Sequence, residues 1–273
     1  MYTLETLCRD IRLAPEATAR VLELEKNLDL EKLRPAMEML RQEEHWEQGL
    51  AEIKKLLGED PAGFGMLTCM LLCGLEARTD FEKLGFSREI YVETMGCFSR
   101  FVGEHIKSFG RCGFDRDFWT VRQVSARLFR IGQLEYELTL ERGQKVVSLH
   151  IPSDASLSLP GLRKSWEEAR KLLLERFPDY AEGPWICGSW LLSPNLKDML
   201  PVSSRILGFQ RSFRIVDQWQ EEDFKEWVWG RTDIPNEDLA ENTSLQKKLK
   251  AFLLAGGAFI SAGGILSEDP FRE

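Results

Sequence analysis

The chain has 273 residues, 43% hydrophobic and 29% charged, with 36 Lys and Arg against 44 Asp and Glu for a formal net charge of −8. That composition supports a folded core and excludes a long disordered chain, and the length accommodates about two domains. The acidic balance argues against partners held by phosphate neutralisation, so neither nucleic acid nor an anionic membrane surface is expected, although a local basic patch can still hold a small anion.

The first residues, MYTLETLCRDIRL, carry charges inside a short apolar pattern and do not form the h-region of a secretory signal. The longest apolar run, Phe64 to Leu75, is too short for a membrane span, so a cytoplasmic protein is expected. From Pro15 to Gly110 the pattern is helical. Val21, Leu22, Leu24 and Leu28 make one stripe, Leu33, Met37 and Leu40 a second, and Trp46, Leu50, Ile53 and Leu57 a third. Gly58 ends one helix, and Asp60 and Pro61 begin the next, whose stretch from Gly65 to Leu75 is apolar on all sides, as suits a central helix. Ser87 opens a long helical segment that runs to about Phe109. Cys8, Cys69, Cys73, Cys97, Cys112 and Cys187 are scattered without a CxxC pair or a histidine at ligand spacing, so core thiols are expected and no metal.

After Cys112 the period shortens. Leu134, Tyr136, Leu138 and Leu140 alternate with Glu135, Glu137 and Thr139, and Val147, Leu149 and Ile151 repeat the alternation beyond the turn Glu141-Arg142-Gly143-Gln144. Keeping every apolar side chain on one face requires Leu140 opposite Lys145, Leu138 opposite Val147, Tyr136 opposite Leu149 and Glu135 opposite His150. Opposed residues on one sheet face have Cβ atoms roughly 5 Å apart, which brings a carboxylate within reach of an imidazole. A carboxylate that orients the ring prepares a histidine as general base; the structural alternative is a cross-strand polar pair that only stabilises the hairpin.

Farther on, Leu162, Trp166, Ala169, Leu173 and Phe177 stripe a helix that Pro178 ends. "WICGSWLL" at 185–192 has the pattern of a buried strand, "SPNLKDMLP" that of a short helix capped by Ser193 with Pro194 in its first position, and "RILGFQRSFRIV" at 205–216 that of another strand. A strand-helix-strand unit is parallel and right-handed, so an antiparallel hairpin feeds a parallel crossover in one mixed sheet. Helices over about 221–229 and 243–255 follow, then a Gly-rich strand near "FISAGGIL". The expected architecture is α+β: a helical domain over residues 1–112 and a mixed β-sheet domain with flanking helices over 113–273.

The order of hairpin, helix, strand, short helix and strand resembles the core of the GNAT acyltransferase fold. The runs "DRDFWTVRQVSARLFRIGQLEYEL", "HIPSD", "CGSWLLSPNLKDMLP", "GFQRSFRI" and "TSLQKKLKAFLLAGG" resemble a bacterial two-domain acyltransferase family with a helical N-terminal domain and a GNAT-like C-terminal domain. The resemblance implies transfer of an acyl group from acetyl-CoA or another acyl-CoA to the amine of a small-molecule acceptor. It implies a thioester arm lying between the strand that ends at His150 and Ile151 and the strand beginning at Trp185. The pyrophosphate then lies near residues 159–164, where a helix N-terminus offers unpaired N–H groups and a favourable dipole.

In place of the fold's usual glycine-rich basic run, Q/R-x-x-G-x-G/A, this chain has Ser156, Leu157, Ser158, Leu159, Pro160 and Gly161. Ser156 and Ser158 offer hydrogen bonds, Gly161 permits close backbone approach, and Arg163 and Lys164 supply positive charge; the alternative is that Ser158 and Pro160 simply start a helix. Under the resemblance, His150 assisted by Glu135 deprotonates the amine and Tyr180 protonates the leaving thiolate. Cys187 has the alternatives of acyl carrier and core thiol, and Trp219, Trp227 and Trp229 those of packing under the tail and lining an acceptor pocket. A rival for the whole chain is a binding module that has lost CoA and recognises a small ligand or a partner protein through a cleft between the domains.

Overall fold

The all-round apolar run after Gly63 becomes the central helix of the first of two units in the computed structural model, which describes residues 2–272. This unit ends at Arg130 and holds α1 (Leu4–Asp10), α2 (Pro15–Asn27), α3 (Leu30–Met39), α4 (Trp46–Leu57), α5 (Phe64–Lys83), α6 (Arg88–Met95), α7 (Cys97–Phe109) and α8 (Asp117–Val124). Residues on every side of α5 are buried, among them Leu67, Met70, Leu71 and Gly74, as a helix without a polar face requires. Tyr91 Oη donates to the Gly74 carbonyl at 2.9 Å, which satisfies the one polar atom of a fully buried ring.

Two helix starts differ from the expected ones. Gly63, at φ +69°, is the residue before α5, and Asp60 acts from outside the helix by accepting from the Met66 amide at 2.9 Å. The segment opened by Ser87 is two helices, α6 and α7, divided at Gly96. Ser87 itself caps as expected, its hydroxyl accepting from the Ile90 amide.

The second unit begins at Ile131, within β1 (Leu128–Ile131). It continues through β2 (Leu134–Glu141), β3 (Gln144–His150), α9 (Leu159–Arg176), α10 (Pro178–Ala181), β4 (Trp185–Ser189), α11 (Leu196–Met199), α12 (Arg205–Gln210), β5 (Phe213–Gln220), α13 (Phe224–Trp229), α14 (Ser244–Leu254) and β6 (Ile260–Leu266). The sheet order is β1-β2-β3-β4-β6-β5. Strands β2 and β3 are antiparallel, β3 and β4 parallel, and β6 pairs antiparallel with both β4 and β5, so the sheet is mixed and the architecture α+β.

The β2–β3 register is the one the alternation demanded, with Glu135 opposite His150, Tyr136 opposite Leu149 and Leu138 opposite Val147. Arg142 and Gly143, both at positive φ, make the two-residue turn. Farther along, "RILGFQRSFRIV" is not one strand. Ser204 accepts from the Ile206 amide and starts α12, and β5 begins only at Phe213. Likewise β4 stops at Ser189, where a 3₁₀ turn takes Trp190–Leu192, and Ser193 accepts from the Asn195 amide one turn before α11, leaving Pro194 outside the helix.

Helix α9 is fastened to the sheet by one hydroxyl. Ser165 Oγ donates to the Ile131 carbonyl at 2.5 Å, lies 3.0 Å from Tyr136 Oη and accepts from the Leu134 amide at 3.3 Å. Burial pushes the Tyr136 phenol well above its ordinary pKa, so it serves here as a neutral hydrogen-bonding group. Ser165→Ala is expected to lower the free energy of unfolding by about 1–3 kcal/mol, because several partners lose a bond in a dry site. A Tm within about 1 °C of wild type would show that apolar burial alone holds the helix.

Candidate active site

Glu135, Glu137, Ser148 and His150 share one face of the β2–β3 hairpin, and α9 covers the other through Leu162, Ala169 and Leu173. Both carboxylates are buried, Glu135 at 2% and Glu137 at 7% exposure. A buried carboxylate needs partners for its lone pairs, and Glu137 has one in the histidine: its Oε2 is 2.7 Å from His150 Nε2. Glu135 stands directly across from His150 in the register, and the close contact to Glu137 runs along the diagonal. Sequence reasoning paired the ring with Glu135 and missed Glu137, although the alternation had already placed both on the histidine's face.

The strand ladder beside this pair stops early. β3 and β4 pair through only two positions, Val147 with Trp185 and Ser148 with Ile186. Two residues on, His150 and Gly188 stand level with each other and on the same face, past the last pair. On its other side Gly188 pairs with Gly263 of β6, and Trp219 lies over both glycines. A Cβ on Gly188 would sit 3.4 Å from Trp219 Cη2, and one on Gly263 would sit 3.5 Å from Trp219 Cζ3. Trp219 Nε1 donates to Glu221 at 2.5 Å, and the Ser261 hydroxyl donates to the same carboxylate, which holds the indole in place.

Gly188, Gly263 and Trp219 line a groove of about 580 Å³ whose walls include Val146, Ile186 and Val216, with Arg142 at its hairpin end and Asp217 beside Gly263. Of the three tryptophans weighed together, only Trp219 lines it. Trp229 packs edge-on to Phe224 at 6.3 Å, and Trp227 is 47% exposed.

The connection from β3 to α9 runs from Ile151 to Ser158. Its Ser156 amide donates to Gln133 Oε1 at 2.6 Å and so is already engaged. Ser158 is the residue before α9 and makes no side-chain cap, while a Cβ on Gly161 would come within 2.8 Å of its hydroxyl. The first turn of α9 therefore presents N–H groups without a capping side chain. Arg163 is paired with Glu167 and Asp269, each at 2.9 Å, and Lys164 extends to Glu168 at 3.8 Å. Tyr180 is at the wrong end of β3 for its expected partnership: Lys145 Nζ lies 5.3 Å from its ring, and His150 is about 16 Å farther along the strand. Cys187 is buried, and desolvation pushes its thiol up to about 12, which keeps it protonated and unreactive.

A mixed sheet whose parallel central pair opens after two positions, with a helix starting beside the opening and the last strand inserted before its predecessor, defines a GNAT-type domain. Residues 109–266 match the family model of the GNAT-like C-terminal domain, and residues 2–126 match that of the N-acyltransferase N-terminal domain. The chain belongs to this family. No curated protein matches it.

Among solved structures, an acyltransferase in complex with decanoyl-CoA and teicoplanin is similar with TM-score 0.77 and 20% identity, over 95% of this chain and 86% of that one. A mutant acyltransferase in complex with octanoyl-CoA gives TM-score 0.78 at 20% identity over 96% and 86%. An acyltransferase in complex with CoA and 10C-teicoplanin gives 0.70 at 20% over 97% and 99%. At that identity the likeness is one of fold.

Proposed function

We propose that the protein transfers an acyl group from a CoA thioester to the amine of a small-molecule acceptor. The observation that carries this reading is the His150–Glu137 contact of 2.7 Å beside the opening between β3 and β4. With Nε2 donating to the Glu137 carboxylate, His150 keeps Nδ1 as the basic nitrogen, and that atom takes the proton of the attacking amine. The amine nitrogen bonds to the thioester carbonyl carbon, the carbon–sulfur bond breaks, and the proton held by the imidazole returns to the sulfur, giving an amide and a thiol. Backbone N–H groups at the opening, where the ladder has ended, polarise the carbonyl.

Tyr180 takes no part in this reading. Its distance from His150 along β3 leaves the imidazole as the proton donor to sulfur. Ile151, Ser158, Gly161 and the first turn of α9 face the pyrophosphate, and Arg163 reaches it by exchanging Asp269 for a phosphate. The groove over Gly188 and Gly263 takes the acyl chain along its apolar wall residues Val146, Ile186 and Val216. Decanoyl- and octanoyl-CoA, bound by the structurally similar acyltransferases, are accordingly the first cosubstrates to try.

Calorimetric titration with acetyl-, octanoyl- and decanoyl-CoA tests the reading. Micromolar binding is expected, tighter for the longer chains by up to about 0.8 kcal/mol per buried methylene. Absence of binding by all three to folded protein would overturn the transferase reading in favour of a binding module.

A further inference from the structure

The span from Trp190 to Ile215 carries four cations, Lys197, Arg205, Arg211 and Arg214, against one carboxylate, Asp198, in a chain whose net charge is −8. Most cations of the second unit are matched: Arg163 with Asp269, Lys145 with Asp179, Lys225 with Glu222, Arg231 with Asp233 and Lys250 with Glu241. Among the described residues none of these four has a carboxylate within ion-pair distance. Such a concentration of unmatched positive charge raises the local potential where the protein as a whole repels anions.

Two of the four, Lys197 and Arg211, line one cavity of about 430 Å³ with apolar walls from Leu192, Pro194, Leu207 and Ile215. Its back is fixed by Gln210, whose Nε2 donates to the carbonyls of Leu191 at 2.8 Å and Ser193 at 3.0 Å and so ties α12 to the turn that follows β4. Helix α12, which carries part of the cavity wall, meets the start of α9 at Gly208. A Cβ there would sit 3.5 Å from Leu159 Cδ2 and 3.6 Å from Arg211 Nη2, so the guanidinium and the first residue of α9 meet over the same glycine. A cation is thus delivered beside an uncapped helix N-terminus that itself favours an anion.

We infer that this cavity takes the nucleotide end of the cosubstrate, with the ribose 3′-phosphate held between Lys197 and Arg211. The inference rests on the acyl-CoA reading and adds the residues that tell CoA from forms lacking that phosphate. It also accounts for the missing glycine-rich basic run: the positive charge that this run would carry before α9 stands on α11 and after α12 instead. Arg211 is suited to a bidentate phosphate contact and Lys197 to a point-charge one.

Calorimetry with CoA and 3′-dephospho-CoA tests it on wild type and on the double variant Lys197→Gln/Arg211→Gln, both positions being exposed and outside the core. Wild type is expected to prefer CoA by about 10- to 100-fold, shrinking with added salt. The double variant is expected to bind both forms alike, at the wild-type affinity for dephospho-CoA. Equal affinity of wild type for the two forms, or a preference that survives in the double variant, would overturn the assignment and leave the transferase reading standing. If neither form binds, both the cosubstrate and its place in this cavity are lost.

Discussion

His150→Ala is expected to lower kcat by about 10²- to 10⁴-fold, the range of a positioned acid–base group, while the dissociation constant for acyl-CoA stays within about twofold. Glu137 does not touch substrate in this reading; it fixes which ring nitrogen carries the proton. Glu137→Gln preserves the length of the contact of 2.7 Å but removes the charge that selects the tautomer, so about a 10- to 100-fold loss in kcat with unchanged KM for acyl-CoA is expected. Glu135→Gln, made in parallel, separates the residue across the strand from the one on the diagonal. Equal turnover by wild type and His150→Ala would reduce the histidine and its carboxylate to a hairpin brace.

Gly188→Val is expected to cut kcat/KM for decanoyl-CoA by about 100-fold or more while acetyl-CoA loses less than about tenfold. A Cβ on Gly188 would already touch the Trp219 indole, 3.4 Å from Cη2, so the two further methyl groups of valine press into the groove that an alkyl chain requires. Excluding six or more methylenes from an apolar surface costs several kcal/mol at about 0.8 kcal/mol each, whereas a two-carbon acyl group asks little of the groove. Because Gly188 does not have positive φ, its backbone tolerates a side chain and the effect is not one of strain. Trp219→Ala should move the preference toward longer chains. Parallel losses for acetyl- and decanoyl-CoA in Gly188→Val would remove the groove from the reaction.

The second unit was most legible where one sheet face is covered and the other carries polar residues. There the two-residue period fixed the hairpin pairing to the residue, including Glu135 across from His150. Strand β1 escaped because Leu128, Phe129, Arg130 and Ile131 are all buried, which erases the alternation that reveals a strand. Helix α12 escaped for a related reason: its apolar residues, Ile206, Leu207 and Phe209, cluster too tightly over six positions to show a period of either kind.

The Glu137 contact depended on a diagonal reach that a register does not specify. Trp219 over Gly188 depended on strands β4 and β6 being neighbours, which no local pattern encodes. The helical stripes of the first unit were clear, yet the break at Gly96 was not, since an isolated glycine inside a helical pattern is compatible with continuation.

The insertion of β6 between β4 and β5 also sets an order on biosynthesis. During translation β5 leaves the ribosome with no neighbour to hydrogen-bond, because its one pairing in the sheet is with Ile260–Leu266. Strand β4 has one short pairing with β3 and gains its long one only from the same late segment. The wall opposite His150, with Gly188 in it, is thus assembled after nearly every other part of the sheet domain has been made. A nascent chain carries its histidine and carboxylate in an already paired hairpin well before it has a groove for them to act on.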